Sequence, residues 1–149
     1  MNIFSVRPQS YIINTDGAIR LERGVSGLAA IVRDEKGKII YWWSKRDKRL
    51  TCNEAEYAAA IMAFEFLLAL RTSPHEVKLF SDSQVMVHQM KGIASAHAPA
   101  LRQAQIRLRG LVVQFEKVTF HHIPREMNRL ADALANDAAD GKESNERAA

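Results

Sequence analysis

The chain reads as a single α/β domain built on a mixed sheet: an antiparallel meander of three strands, joined through a helix to strands that run parallel to the first. Three observations give that class. Strand-like runs from Tyr11 to Asp16, Gly27 to Arg33 and Ile39 to Lys45 precede any helical pattern, and Asp34-Glu35-Lys36-Gly37 between the last two is a hairpin connection in which Gly37 supplies the tight turn. From Asn53 to Leu70 the apolar residues Tyr57, Ile61, Phe64 and Leu68 recur at spacings of three and four, the period of a helix laying one face on a sheet. Val77 to Ser81 is again apolar, and the intervening helix lets it return beside the first strand by a right-handed parallel crossover.

The remaining elements follow in order. Ser73-Pro74-His75 breaks the chain before the fourth strand; Gln84 to Met90 reads as a short helix, Ala98 to Phe115 as a longer one, Lys117 to Ile123 as the fifth strand, and Met127 to Ala139 as the last helix. The expected sheet is five-stranded and mixed, in the order 3-2-1-4-5, flanked by helices. Residues 1–9 are expected to form a leader, 10–140 the domain, and 141–149 an unstructured polar tail.

At 149 residues the chain is long enough for one proper core and too short for two ordinary domains. A content of 47% hydrophobic and 26% charged residues, with 7 Gly and 4 Pro, excludes a disordered or collagen-like chain. No apolar run approaches the ~20 residues that span a bilayer, and Met1 to Pro8 lacks a basic segment followed by an apolar one. A cytoplasmic protein with no membrane association is expected. The single cysteine, Cys52, rules out an intramolecular disulfide and suits a reducing compartment. No interface signature stands out, so a monomer is expected. The net charge of +4 is what remains after every carboxylate is counted, so a basic excess lies elsewhere on the surface. Lys45-Arg46-Asp47-Lys48-Arg49, and Lys91, Arg102, Arg107 and Arg109, could each follow a phosphate backbone, although a solvated face is the plainer reading of any one such run.

Four acidic residues carry the chemistry. Asp16 ends the first strand before Gly17, and Asp82 closes the fourth in Ser81-Asp82-Ser83-Gln84. Parallel neighbours bring both to the same carboxyl edge, where open α/β sheets place their sites. Glu56 sits in the first turns of the helix after Thr51-Cys52-Asn53. Its rival Glu54 fits a capping box with Thr51, which leaves Glu56 free to point elsewhere. Asp132 lies inside the last helix, four residues after Asn128 and on the same face. Taken singly, Asp16 is an ordinary turn residue, Asp82 an N-cap and Asp132 a solvated carboxylate. Taken together, four converging carboxylates would repel one another unless hard cations neutralised them, as in a two-metal phosphodiester-cleaving centre.

The order of these motifs and their flanking residues, from about Tyr11 to Ala139, resembles the type 1 ribonuclease H family, in a form without a basic protrusion or a separate hybrid-binding domain. The resemblance implies a ribonuclease H-like fold and two Mg2+ ions, with Mn2+ as a possible substitute, held by Asp16, Glu56, Asp82 and Asp132. It implies an endonuclease that cuts the RNA strand of RNA/DNA hybrids and leaves 3'-hydroxyl and 5'-phosphate ends. Thr51 and Asn53 match the family's phosphate and ribose contacts and Gln84 a base-edge or sugar contact, and each also has a reading as a cap or turn residue. Asn128 matches a residue that positions the last Asp or the substrate. His122, ten residues before Asp132, has the spacing of the family's proton-relaying histidine; the alternative is that Arg125, in Pro124-Arg125-Glu126-Met127-Asn128, takes the nearby electrostatic role. His121 should face the opposite side of its strand.

Two departures bear on substrate. Family members carry a Gly-rich, Asn-containing loop after the first Asp that touches 2'-hydroxyls, whereas this chain has Ala18 to Gly27 with Glu22 near the Asn position, and Cys52 stands where Asn is common. Two alternatives therefore stand beside the hybrid-cutting enzyme: a nuclease of the same fold acting on double-stranded RNA or DNA, and a catalytically silent hybrid-binding module.

Overall fold

The computed structural model describes residues 8–143 and the backbone of 145–147. A mixed sheet forms its centre: β1 (Ser10–Arg20), β2 (Val25–Arg33), β3 (Ile39–Lys48), β4 (Glu76–Ser81), β5 (Val118–His122) and a short β6 (Asn145–Arg147), in the order β5-β4-β1-β2-β3-β6. The helices are α1 (Cys52–Ala69), α2 (Gln84–Met90), α3 (Pro99–Val112) and α4 (Arg129–Ala139). The meander β1-β2-β3 is antiparallel, while β4 pairs parallel with β1 and β5 parallel with β4. The expected five-strand order is thus present.

Two expectations need correction, and a third falls mostly outside the described residues. The tail read as unstructured contains β6, whose residues pair with Tyr41, Trp42 and Trp43 on the outer edge of β3, an edge that otherwise offers unpaired amides and carbonyls. Residues 1–7 of the expected leader lie outside the described residues, and at Pro8 and Gln9 the backbone carbonyls already accept from the amides of His75 and Glu76. Asp16-Gly17 is not a turn: β1 runs on to Arg20, and Ala18, Ile19 and Arg20 pair with Gly27, Ser26 and Val25. The segment Ala18 to Gly27 is therefore a hairpin, closed by a 3-10 turn at Leu21–Arg23 and by Gly24 in the left-handed region at φ 64°.

Alternation along the strands assigns the two faces. Ile13, Leu28, Ala30, Val32, Val77 and Leu79 build the main core under α1. Trp43 joins them, stacked on Phe66 with ring centroids 4.8 Å apart, and Trp42 takes the other side. The stripe expected on α1 was only partly right. Tyr57 and Phe64 are buried, but so are Ala55, Ala59, Ala60, Met62, Ala63 and Leu67, whereas Ile61 and Leu68 are only partly covered. Because α1 is wedged between the sheet and α3, two of its sides are covered and the single-face pattern fails.

The capping box is present as expected: the Thr51 side chain accepts from the Glu54 amide, and Glu54 accepts from the Thr51 amide. Thr51→Ala should cost about 1 kcal/mol of stability in chemical denaturation, a cap-sized loss. On the opposite face, α4 lays Ala131, Ala135, Ala138 and Ala139 on β1 and β2. Such small side chains allow a close approach that fixes where the first turn of α4 ends up.

Candidate metal centre at the carboxyl edge of the sheet

Register decides which side chains meet. Asn14 of β1 lies opposite Phe80 of β4 in the parallel pair, so Asp16 and Asp82, two residues further on, emerge side by side. Both point to the α4 face of the sheet. Their neighbours Gly17 and Ser81 point to the α1 face and grip the third carboxylate. The Gly17 amide donates to Glu56 Oε1 at 3.1 Å, and the Ser81 hydroxyl donates to Oε2 at 3.3 Å. Gly17 also admits α1 at all: a methyl group there would lie 2.7 Å from the Ala55 Cβ and 2.8 Å from its carbonyl carbon.

The carboxylate oxygens of Asp16, Glu56 and Asp82 lie within 4.8 Å of one another. Asp16 is only 4% exposed. Burial, then the charges of Glu56 and Asp82, push its carboxyl up to about 9. Burial, with the charge of Asp82, pushes Glu56 up to about 7, tempered by its hydrogen bond with Asp16 and then by those from Gly17 and Ser81. Burial raises Asp82 as well, while the nearby positive charge of Arg125 pulls it back. A protein that assembles three carboxylates against this much self-repulsion offers a hard, all-oxygen donor set, which fits a hard divalent cation.

Asp132 stands beside this trio, on the rim of the same cleft. It is not mid-helix, as the sequence suggested, but in the first turn of α4, where its amide donates to the Asn128 carbonyl. Its carboxylate is met by Asn136 at 3.3 Å and by the exposed guanidinium of Arg125 at 3.5 Å. Asn128 is 2% exposed: its amide donates to the Thr15 carbonyl at 2.9 Å and its oxygen accepts from Asn14 at 3.1 Å. Both ends of that side chain are spent on β1, so it ties α4 to the strand of Asp16 and leaves little of itself exposed to a ligand. Asn14 in turn accepts from Arg33 at 3.0 Å.

His122 is exposed at the end of β5, opposite Ser81 in the register and hence next to Asp82. His121 turns away as expected, stacking on Phe80 and bonding the Thr119 hydroxyl at 2.8 Å. Asp82 does not cap α2; Ser83 does, accepting from the Met86 amide. Gln84 is exposed in the first turn of α2, and Thr51 and half-buried Asn53 sit at the start of α1, with Cys52 between them on the cleft. Sequence reasoning missed Ser81 and Gly17 as holders of Glu56, although alternation with Asp82 and Asp16 could have found them. It also missed Arg20 and Asn136, which line the cleft.

A family model described as reverse transcriptase-like matches residues 14–138. The curated ribonuclease HI of Halobacterium salinarum is 34% identical over 84% of this chain and 62% of its own length, and an uncharacterized protein of Mycobacterium bovis is 32% identical over 87% of this chain and 35% of its own. The chain thus spans between about a third and two thirds of the length of these relatives. Among solved structures, RNase H1 of Halobacterium salinarum superposes with a TM-score of 0.83 at 32% identity, over 89% of this chain and 98% of that one. LC11-RNase H1, solved with an RNA/DNA hybrid, gives 0.82 at 34% identity, over 88% and 97%. With fold, motif order and these matches in agreement, the chain belongs to the type 1 ribonuclease H family.

Proposed function

We propose that this protein is an endoribonuclease that hydrolyses the RNA strand of RNA/DNA hybrids, leaving 3'-hydroxyl and 5'-phosphate ends, with two Mg2+ ions held by Asp16, Glu56, Asp82 and Asp132. The observation that carries this reading is the cluster of Asp16, Glu56 and Asp82, whose oxygens lie within 4.8 Å of one another with the Asp16 carboxylate buried. When bound, the ions, or Mn2+ in their place, supply an activated water and stabilise the leaving 3'-oxygen.

The chain's own residues do the rest. Gly17 and Ser81 fix Glu56 against the sheet, so its carboxylate loses little freedom on meeting a cation. His122, exposed beside Asp82, is placed to carry a proton to or from bulk water, and Arg125 supplies positive charge between Asp82 and Asp132. His122→Ala should lower kcat by about 10²-fold while leaving Mn2+ binding to the free protein unchanged. Thr51 and Asn53 flank the cleft residue Cys52 at the start of α1, and Gln84 follows Asp82 by two residues at the start of α2; their polar side chains suit a phosphate and a ribose. Asn128 serves by positioning α4.

One observation favours a second substrate: the hairpin Ala18 to Gly27 is paired β-structure with Glu22 near its tip, not a Gly-rich loop lying open to 2'-hydroxyls. Rates on matched hybrid, double-stranded RNA and double-stranded DNA separate the two. Cutting of the RNA strand in the hybrid alone supports the proposal; faster cutting of either homoduplex overturns it.

A further inference from the structure

The hairpin that departs from the family pattern is strapped to the helix that carries Asp132. Asp132, Asn136 and Asp140 follow one another at intervals of four, forming one stripe along α4. The hairpin lays Arg20 and Arg23 on that stripe. Arg20 Nε donates to Asp140 Oδ1 at 3.0 Å, one terminal nitrogen donates to Asn136 Oδ1 at 2.9 Å, and the other to its neighbour's carbonyl at Ile19, at 3.2 Å. Arg23 meets the same Asp140 at 3.2 Å.

A guanidinium has donors and no acceptor, so Arg20 dictates which way the Asn136 amide faces. Its oxygen must turn to Arg20, and its NH2 is left to donate to Asp132, at 2.8 Å to the backbone carbonyl and 3.3 Å to the carboxylate. Asp132 is the one acidic residue of the four that stands outside the tight trio; its side chain reaches Asp16 of β1, but among the described residues no backbone amide or hydroxyl of the sheet donates to it as Gly17 and Ser81 do to Glu56. Its other partner, Arg125, is an exposed side chain at 3.5 Å. The part-buried donor that orients the Asp132 carboxylate is therefore Asn136, held in place by Arg20.

We propose that Arg20, acting through Asn136, is a positioning residue that orients Asp132 as the fourth metal ligand. This rests on the reading of the four carboxylates as a two-ion centre. Residues of the altered hairpin thereby act on the metal site, a part of the reaction distinct from the 2'-hydroxyl contacts of the loop they replace.

The test uses the full chain and the variants Asn136→Leu, Arg20→Met, Arg20→Lys and Asp140→Asn, each checked for folding by circular dichroism. Mn2+ binding to the free protein is measured by calorimetry without nucleic acid, and kcat and KM on a hybrid are measured across Mg2+ concentrations. Asn136→Leu and Arg20→Met should weaken the weaker of the two Mn2+ ions by about 10-fold, as loss of a residue supporting a metal ligand does. They should raise the Mg2+ needed for half-maximal kcat by a similar factor and leave KM for the hybrid unchanged. Arg20→Lys, which retains a donor for Asn136, should recover part of the loss. Asp140→Asn, which removes the charge pair and keeps the Arg20–Asn136 contact, should bind Mn2+ like the parent.

Parent-like Mn2+ binding by both Asn136→Leu and Arg20→Met would overturn the proposal. So would equal weakening by Asp140→Asn, which would show mere anchoring of α4. If Asn136→Leu does not fold, Arg20→Met at the cleft rim decides. A parent that binds Mn2+ but cuts no hybrid defeats the functional reading and not this one; a parent that cuts, with variants unaffected, does the reverse.

Discussion

Asp16→Asn should abolish cleavage, by at least about 10³-fold, and at the same time make the metal-free protein more stable at pH 8. The first effect follows from removing the most buried donor of the centre. The second follows from what that donor suffers without a cation. Its carboxyl sits at about 9 in the fold against 3.8 ordinarily, raised by burial and by Glu56 and Asp82. Between those two values the folded chain holds a proton that the unfolded chain has released. The stabilisation tied to that proton is therefore complete below about pH 4 and is lost progressively as pH rises towards 9. Each pH unit of such linkage is worth about 1.4 kcal/mol. An asparagine does not titrate, so Asp16→Asn removes this source of loss, and in chelator at pH 8 its Tm should exceed the parent's by at least about 3 °C. Glu56, raised to about 7, leaves a smaller decline of the same sign that ends near that pH. Adding Mg2+ should narrow or invert the gap, because the cation stabilises only the chain that binds it. Thermal melts from pH 4 to 9, with and without Mg2+, check this; identical pH dependence in the two proteins would contradict it.

Gly27→Ala should be the most damaging small substitution in the sheet. Gly27 lies on β2 beneath α4, and a methyl group there would stand 1.9 Å from the Ala135 carbonyl oxygen and 2.5 Å from the Ala139 amide nitrogen. Those atoms belong to a helix backbone and have no rotamer by which to move aside. The whole of α4 must lift, separating Ala131, Ala135, Ala138 and Ala139 from the strands they cover. We expect a loss of about 3 kcal/mol or more, at the upper end of overpacking effects. Because Asp132 and Asn128 ride on α4, the surviving folded fraction should also lose kcat, with Mn2+ binding impaired. A neighbouring change that leaves the helix seated, Ser26→Ala, removes only the hydroxyl that accepts from the Leu50 amide, so it should retain Mn2+ binding. Denaturant titration of both variants measures the difference.

What could be read from the sequence, and what could not, divides by range. The strand order, the parallel crossover and the capping box of Thr51 and Glu54 follow from local period and short-range chemistry, and these are present. So is the meeting of Asp16 with Asp82, because two parallel strands of known direction leave few choices of edge. Asp16-Gly17 resembled a turn, yet Gly17 is there because α1 passes too close for a side chain, and only the packed helix reveals that. The segment Ala18 to Gly27 was set against the family's recognition loop by its place after Asp16, yet it is a paired hairpin in which Gly24 closes the turn and Gly27 admits α4. The stripe on α1 failed for want of knowing that α3 covers a second side. Ser81, Asn136 and Arg20 act through partners 25, 4 and 116 residues away, and no periodicity encodes the distant ones.

The proposal that these carboxylates bind divalent cations in order to cut RNA stands on cleavage itself. Its most direct measurement is cleavage of an end-labelled RNA/DNA hybrid by the parent and by Asp82→Asn, in Mg2+, in Mn2+ and in chelator, with the product ends identified. The expected result is cutting of the RNA strand alone, dependent on either metal, leaving 3'-hydroxyl and 5'-phosphate ends, and lost in Asp82→Asn. A folded parent that cuts nothing with either metal, or cutting that survives in chelator or in Asp82→Asn, would contradict it.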